Sequence, residues 1–293
     1  MMYEYALDPR LLADINNCRT IFDNFKPEQG KVISDVPRQW IREAYREIQT
    51  IEGPVLRKTL KLHLKKLLDK SLCDGRYQFT WDRYNESWAG YVARVNQSYP
   101  FSAVISESSS VDPLDTYSLS DLFHTAPACW NAPTQIMVKR SASDIVDALM
   151  PLLCISRHII LIDRHIYPGN TRSLRVLREL IKRSDLFNFG RGIKKIQIHS
   201  SNHRMDYQQS LEQHLLPHLP SDFEVSASLW PKAVEHDRFL VTEVGGIDLG
   251  EGFNEQNKQD TDEVKLSLVS HDIRKRLISK FSGNPTYRAY VKG

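Results

Sequence analysis

Val234 to Asn254, VEHDRFLVTEVGGIDLGEGFN, is the stretch from which the fold of this chain is read. Phe239 and Val241 alternate ahead of Gly245-Gly246, and Ile247–Leu249 follows. That is the pattern of a strand, a tight turn and a returning strand. Residues two apart on a strand share a face, so His236 and Arg238 are expected to project together. Glu243, beyond the strand end, would curl back and orient the imidazole. The constellation H-x-R-x4-E, followed by Gly250-x-Gly252, brings an imidazole, a guanidinium and open backbone amides into reach of a phosphate. The same spacing also suits a hairpin that carries a charged edge and no ligand.

Working outward, His158–Ile162 is a continuous apolar run ending at Asp163, as a strand buried on both faces requires. Helix Thr171–Ser184, strand Lys194–His199, helix Asp206–Leu216 and strand Phe223–Leu229 come next. Past the hairpin, Val264–Leu268 reads as a strand and Ser270–Phe281 as a helix, while Ser141 and Asp144 cap a helix over Ala142–Leu153. The alternation β-α-β-α-β-β-β-α predicts an α/β fold with a layered mixed sheet over residues 141–293. Ligand-facing residues of such sheets gather at strand carboxyl ends, so Asp163 and His165 would border the pocket or else brace it.

Residues 1–106 read as a helical, basic region, with helices over Pro9–Phe25, Arg38–Glu52 and Val55–Cys73. In the third, Leu56, Leu60, Leu64, Leu67, Leu68 and Leu72 make the buried side. Arg57, Lys58, Lys61, Lys65 and Lys66 line the remainder, either as a solvated face or as a contact surface for a phosphate backbone. Tyr99–Ser106 is expected to be an edge strand of the later sheet, and residues 107–140 a connector lying across the C-terminal domain. His63-x-Lys65 opens like the H-x-R triplet, but Lys70 stands where an acid is needed. On a helix His63 and Lys65 would also face apart.

A chain of 293 residues with 41% hydrophobic and 26% charged residues is long enough for two globular domains. The net charge of +3 permits contact with a polyanion without demanding it. The first residues, MMYEYALDPR, lack the layout of a secretory signal, no apolar run has membrane-span length, and the four cysteines are widely separated. A cytoplasmic protein with free thiols is expected. His214-x3-His218 is interrupted by Pro217, and neither a metal ion nor another cofactor is expected.

The stretch resembles the HxK(x)4D motif of the phospholipase D superfamily, with Arg238 for the lysine and Glu243 for the acid. Gly250, Gly252 and Asn254 resemble the Gly-rich segment and asparagine that follow it, with Gly250 and Asn254 one residue further apart than usual. The HDR triplet with its Gly-Gly hairpin is similar to the phospholipase D-like module at the C-terminus of MIT-domain proteins and in bacterial relatives. This resemblance, over residues 156–281, implies a phospholipase D-like sheet and a metal-independent phosphodiesterase or nuclease. His236 would attack phosphorus, Arg238 hold the non-bridging oxygens and Glu243 fix the imidazole, with Gly250, Gly252, Asn254, Asp163 and His165 around the phosphate. The chemistry needs two histidines and the chain has one motif, so a homodimer pooling two copies of His236 is expected. The alternative is an inactive module that binds nucleic acid or anionic phospholipid headgroups. By analogy, such proteins act as hydrolase effectors of bacterial antiviral defence, alone or in a larger complex.

Overall fold

Tyr3–Leu7, YEYAL, forms the central strand β1 of a sheet in the first of two units, Met2–Pro133 and Thr134–Gly293. The computed structural model describes residues 1–73, 79–82, 84–107, 116–124, 127–186, 193–201, 206–231, 238–256 and 262–293.

In the first unit, α1 (Ile15–Asn24) leads to β2 (Lys31–Ser34), then α2 (Trp40–Thr50), α3 (Pro54–Ser71) and β3 (Leu72–Cys73). They are followed by α4 (Trp88–Ser98), β4 (Ala103–Ile105), β5 (Thr116–Tyr117) and the short α5 (Asp121–His124). The strand order is β3-β2-β1-β4-β5, with every pair parallel. Side chains alternate across β1. Tyr5 and Leu7 enter one core with Ile21 of α1, Trp40 and Ile48 of α2, and Leu60, Leu64, Leu67 and Leu68 of α3. Ala6 faces the other way, among Trp88, Tyr91, Val92 and Val95 of α4. The helices therefore cover both faces, and the winding reverses between β1 and β4, as in doubly wound sheets. At that reversal the fully buried Asp8 accepts hydrogen bonds from Arg10 and from Ser106 Oγ (3.3 Å), tying β1 to β4.

This corrects the expectation of a helical N-terminal region: its helices exist, but they wrap a parallel sheet. Its strands have two to five residues, too short for a periodic signal against the long leucine rhythm of α3. Ala103–Ile105 pairs with β1 inside this first sheet and is not an edge of the second. Trp130, expected in a connector across the C-terminal domain, instead stacks edge-on against Tyr5 (5.6 Å) and Phe25 (5.7 Å) in the first core. The boundary between units falls at 133/134.

The second unit runs β6 (Gln135–Lys139), α6 (Ala142–Leu153), β7 (His158–Ile162), α7 (Thr171–Leu186), β8 (Lys195–Ser200) and α8 (Tyr207–His214). It continues with β9 (Glu224–Leu229), β10 (Phe239–Val241), β11 (Gly246–Asp248), β12 (Glu263–Leu268), α9 (His271–Phe281) and β13 (Tyr287–Lys292). The sheet order is β13-β9-β8-β7-β10-β11-β12-β6. β7, β8 and β9 are parallel, as helix-linked strands must be, and the remaining pairs are antiparallel. Ile159, Leu161, Ile196, Ile198, Val225 and Ala227 are buried on one face. On the other, Leu277 and Phe281 of α9 pack with Ile162, Phe239, Val241, Val269 and Trp230. The expected hairpin is present, with Val241 opposite Gly246. The chain is thus mixed α/β with one parallel and one mixed sheet, and no described helix is long and apolar enough to cross a membrane.

Candidate functional site

β7 and β8 end side by side at Asp163 and Ser201, and the antiparallel β10 starts there, just after Arg238. Asp163 is 1% exposed and organises this end of the sheet. Its Oδ1 accepts from the His165 amide (2.8 Å) and its Oδ2 from the Phe253 amide (3.0 Å), which ties the Gly-rich segment down onto β7. Arg238 Nε lies 3.7 Å from Asp163 Oδ1, and Arg238 Nη1 donates to the Gly250 carbonyl at 3.3 Å. The side chain is 25% exposed, and the buried carboxylate faces it as an ion pair rather than a hydrogen bond, the buried Nε having no hydrogen-bond partner among the described residues.

Two glycines make this approach possible. Gly252 has φ 117°, and a Cβ there would lie 2.8 Å from Arg238 Cδ and 2.9 Å from Asp163 Oδ2. Gly250, at φ 54°, lies so close to β12 that a Cβ would meet the Lys265 carbonyl oxygen at 2.7 Å. Both conformations favour glycine for want of a Cβ.

His165 is exposed at the same strand end, where Arg164 Nε donates to its Nε2 at 2.9 Å. Partial burial, together with the nearby Arg164 and Arg238 charges, lowers its pKa against the pull of Asp163, favouring the neutral ring. His236 and residues 232–237 around it lie outside the described residues.

The structure separates two expected partners from this cluster. β10 runs antiparallel to β7, so Glu243, past its end, sits beside the first residues of β7. There its carboxylate accepts from the Arg157 and His158 amides, at the start of a strand where amides need acceptors. Arg238 and Glu243 are divided by five residue rises along the strand direction, roughly 17 Å, and Glu243 does not curl back as expected. Asn254 is turned towards Arg140, whose Nη2 donates to Asn254 Oδ1 at 2.7 Å. Arg140 also donates to Asn254 O, Glu251 and Gln256, and so holds the loop after Gly250 from outside. Nothing in the spacing singled out Arg140, because its partners lie more than a hundred residues away.

His199, whose backbone lies on β8, has an internal role. It is 7% exposed, accepts from Trp230 Nε1 at 2.9 Å through Nδ1 and lies against Phe281. Burial pushes its pKa down to about 4. The unfolded chain takes up this proton near pH 6.5 and the folded one near 4, so its contribution is complete above pH 6.5 and lost as pH falls through that interval. Hydrogen exchange of the β8 and β9 amides should show about 3 kcal/mol of pH-dependent loss, absent in His199→Gln.

The basic residues of α3 split into two sets. Arg57 donates to the Gln49 and Ile51 carbonyls, and Lys61 Nζ sits 5.8 Å from the Tyr45 ring, both engaged with α2. Lys58, Lys65 and Lys66 are exposed. Lys66 also borders a cavity of about 330 Å³ with Lys26, Lys70, His63, Asp23 and Glu28.

No protein-family model matches the chain, and a comparison with curated proteins finds no match.

Proposed function

We propose that the second unit is a phospholipase D-like phosphodiesterase that cleaves nucleic acid without a metal ion, using His236 and Arg238. The observation that carries this reading is the Arg238 guanidinium, fixed beside buried Asp163 where β7 and β8 end, two residues from His236. In the proposed reaction a nitrogen of His236 attacks phosphorus and the bond to the leaving oxygen breaks. That oxygen takes a proton from a second histidine, and Arg238 neutralises the charge gathering on the non-bridging oxygens. Water then attacks the phosphohistidine, gives its proton to the second histidine and releases His236. The second histidine is His236 of another copy of the chain, which makes the working form a symmetric dimer.

Cleavage of labelled single-stranded DNA or RNA by the full chain in EDTA is the test. The expected outcome is metal-independent cleavage, removed by His236→Ala and reduced about 10²-fold by Arg238→Ala. Cleavage that requires a divalent ion, or that survives His236→Ala, overturns the reading. A second reading, an inactive module that binds phosphodiesters, is favoured by the engagement of the Glu243 and Asn254 side chains elsewhere. It predicts salt-dependent binding with no cleavage.

A further inference from the structure

Strand register arranges three rungs of side chains across the face of the second sheet on which α9 packs. Lys292, Glu224, Lys195 and His158 form the first rung, and Tyr290, Ser226, Gln197 and Ile160 the second. Arg288, Ser228, His199 and Ile162 form the third. The apolar residues of α9 cover this face over Ile162, Phe239 and Val241. Towards β13 the character changes. Arg288, Tyr290 and Lys292 are exposed, Tyr290 to 49%, and Lys195, Gln197, Ser226 and Ser228 are half-buried. Between Ile160 of β7 and Ile278 of α9 the floor dips into a groove of about 330 Å³.

We infer that this face, from β13 to the groove beside α9, binds single-stranded nucleic acid. The inference rests on the phosphodiester reading above and gives it a substrate class. An exposed ring on a sheet gives an unpaired base a stacking platform, and sheet faces with such rings bind single strands rather than duplexes, whose bases are already stacked. Arg288 supplies a guanidinium for a base plane or a phosphate, and Lys195 and Lys292 supply ammonium groups. Ser226, Ser228 and Gln197 offer donors and acceptors between them. Among the described residues Lys292 pairs with Glu224, at 3.9 Å with both side chains partly exposed, an ion pair that a phosphate readily exchanges. The occupant takes the face rather than the edge, because the Tyr290 backbone is already hydrogen-bonded to the Gln208 amide at 2.8 and 2.9 Å. The rung of Arg288 reaches Phe239 after four strand intervals, about 19 Å, with His199 covered by Trp230 and Phe281, while Arg238 alternates to the other face at the end of the same strand.

The test measures binding by the full chain carrying His236→Ala, in EDTA, so that no substrate is consumed. The probes are a labelled oligothymidylate of about 15 nucleotides and a duplex of equal length. The expected result is tighter binding of the single strand, weakened about 10-fold by Tyr290→Ala and retained in Tyr290→Phe. Arg288→Glu with Lys292→Glu should weaken binding and flatten its salt dependence. Equal affinity for the duplex, or no effect of Tyr290→Ala, overturns the inference. Neither result touches the proposed chemistry, which stands or falls on whether His236→Ala abolishes cleavage.

Discussion

Asp163→Ala is expected to destabilise the second unit by about 3–5 kcal/mol and to leave the first unit unchanged. The carboxylate is almost wholly buried, accepts from the His165 and Phe253 amides, and lies 3.7 Å from Arg238 Nε as its counter-charge without hydrogen-bonding it. Its removal leaves two amides without their acceptor, each worth about 1–3 kcal/mol, and a guanidinium without its counter-charge. Asp163→Asn separates these contributions. The amide keeps the shape and one acceptor oxygen, but turns an N–H2 towards a donor and removes the charge. It should therefore lose less stability than alanine while still freeing Arg238. Hydrogen exchange of the β7 and β10 amides reads the loss, with β1 and β2 as an internal reference. An Asp163→Asn protein as stable as the parent would mean that the charge at this position contributes nothing to folding.

The second unit was legible because its strands and helices are long enough to carry a period. His158–Ile162, the helix over Thr171–Leu186 and the Gly245-Gly246 hairpin all stand close to where alternation and turn chemistry placed them. The first unit was not. Lys31–Ser34 and Ala103–Ile105 offer three or four residues each, and the strand set by Tyr3–Leu7 is interrupted by Glu4, which is itself buried. What makes these segments strands is pairing with distant neighbours, a tertiary effect that overrides local preference. Trp88–Ser98 was missed for a related reason: its small and aromatic residues obscure a helix fixed by the Ser87 cap and by burial of Trp88, Tyr91, Val92 and Val95.

The candidate site was legible where it depends on position along one strand and illegible where it depends on what lies opposite. Asp163 could be placed at a strand end from the apolar run before it, and it stands beside Arg238. Glu243 could not be placed, since the decisive fact is that β10 runs antiparallel to β7 and carries it to the far end. Asn254 follows the same logic. Its side chain is claimed by Arg140, whose approach depends on the pairing of β6 with β12.

Gly252→Ala is expected to cost about 2–4 kcal/mol and to lower cleavage by displacing Arg238, although neither position 252 nor its neighbours bear a reactive group. At φ 117° any L side chain is strained, and the added carbon would lie 2.8 Å from Arg238 Cδ, 2.9 Å from Asp163 Oδ2 and 3.0 Å from Arg238 Nε. Asp163 is pinned by two amides, so Arg238 is the group that yields. Gly246→Ala provides the comparison, because its Cβ would collide with Val269 Cγ2 at 2.6 Å, within the α9 core. It should lose stability while each folded molecule retains its activity. A double-mutant cycle then isolates the cause. If the alanine acts through Arg238, adding Gly252→Ala to an Arg238→Ala protein costs little further activity and less stability, since the side chain it would strike has gone. Additive losses would instead place the damage in the loop backbone and show that the alanine does not act through Arg238.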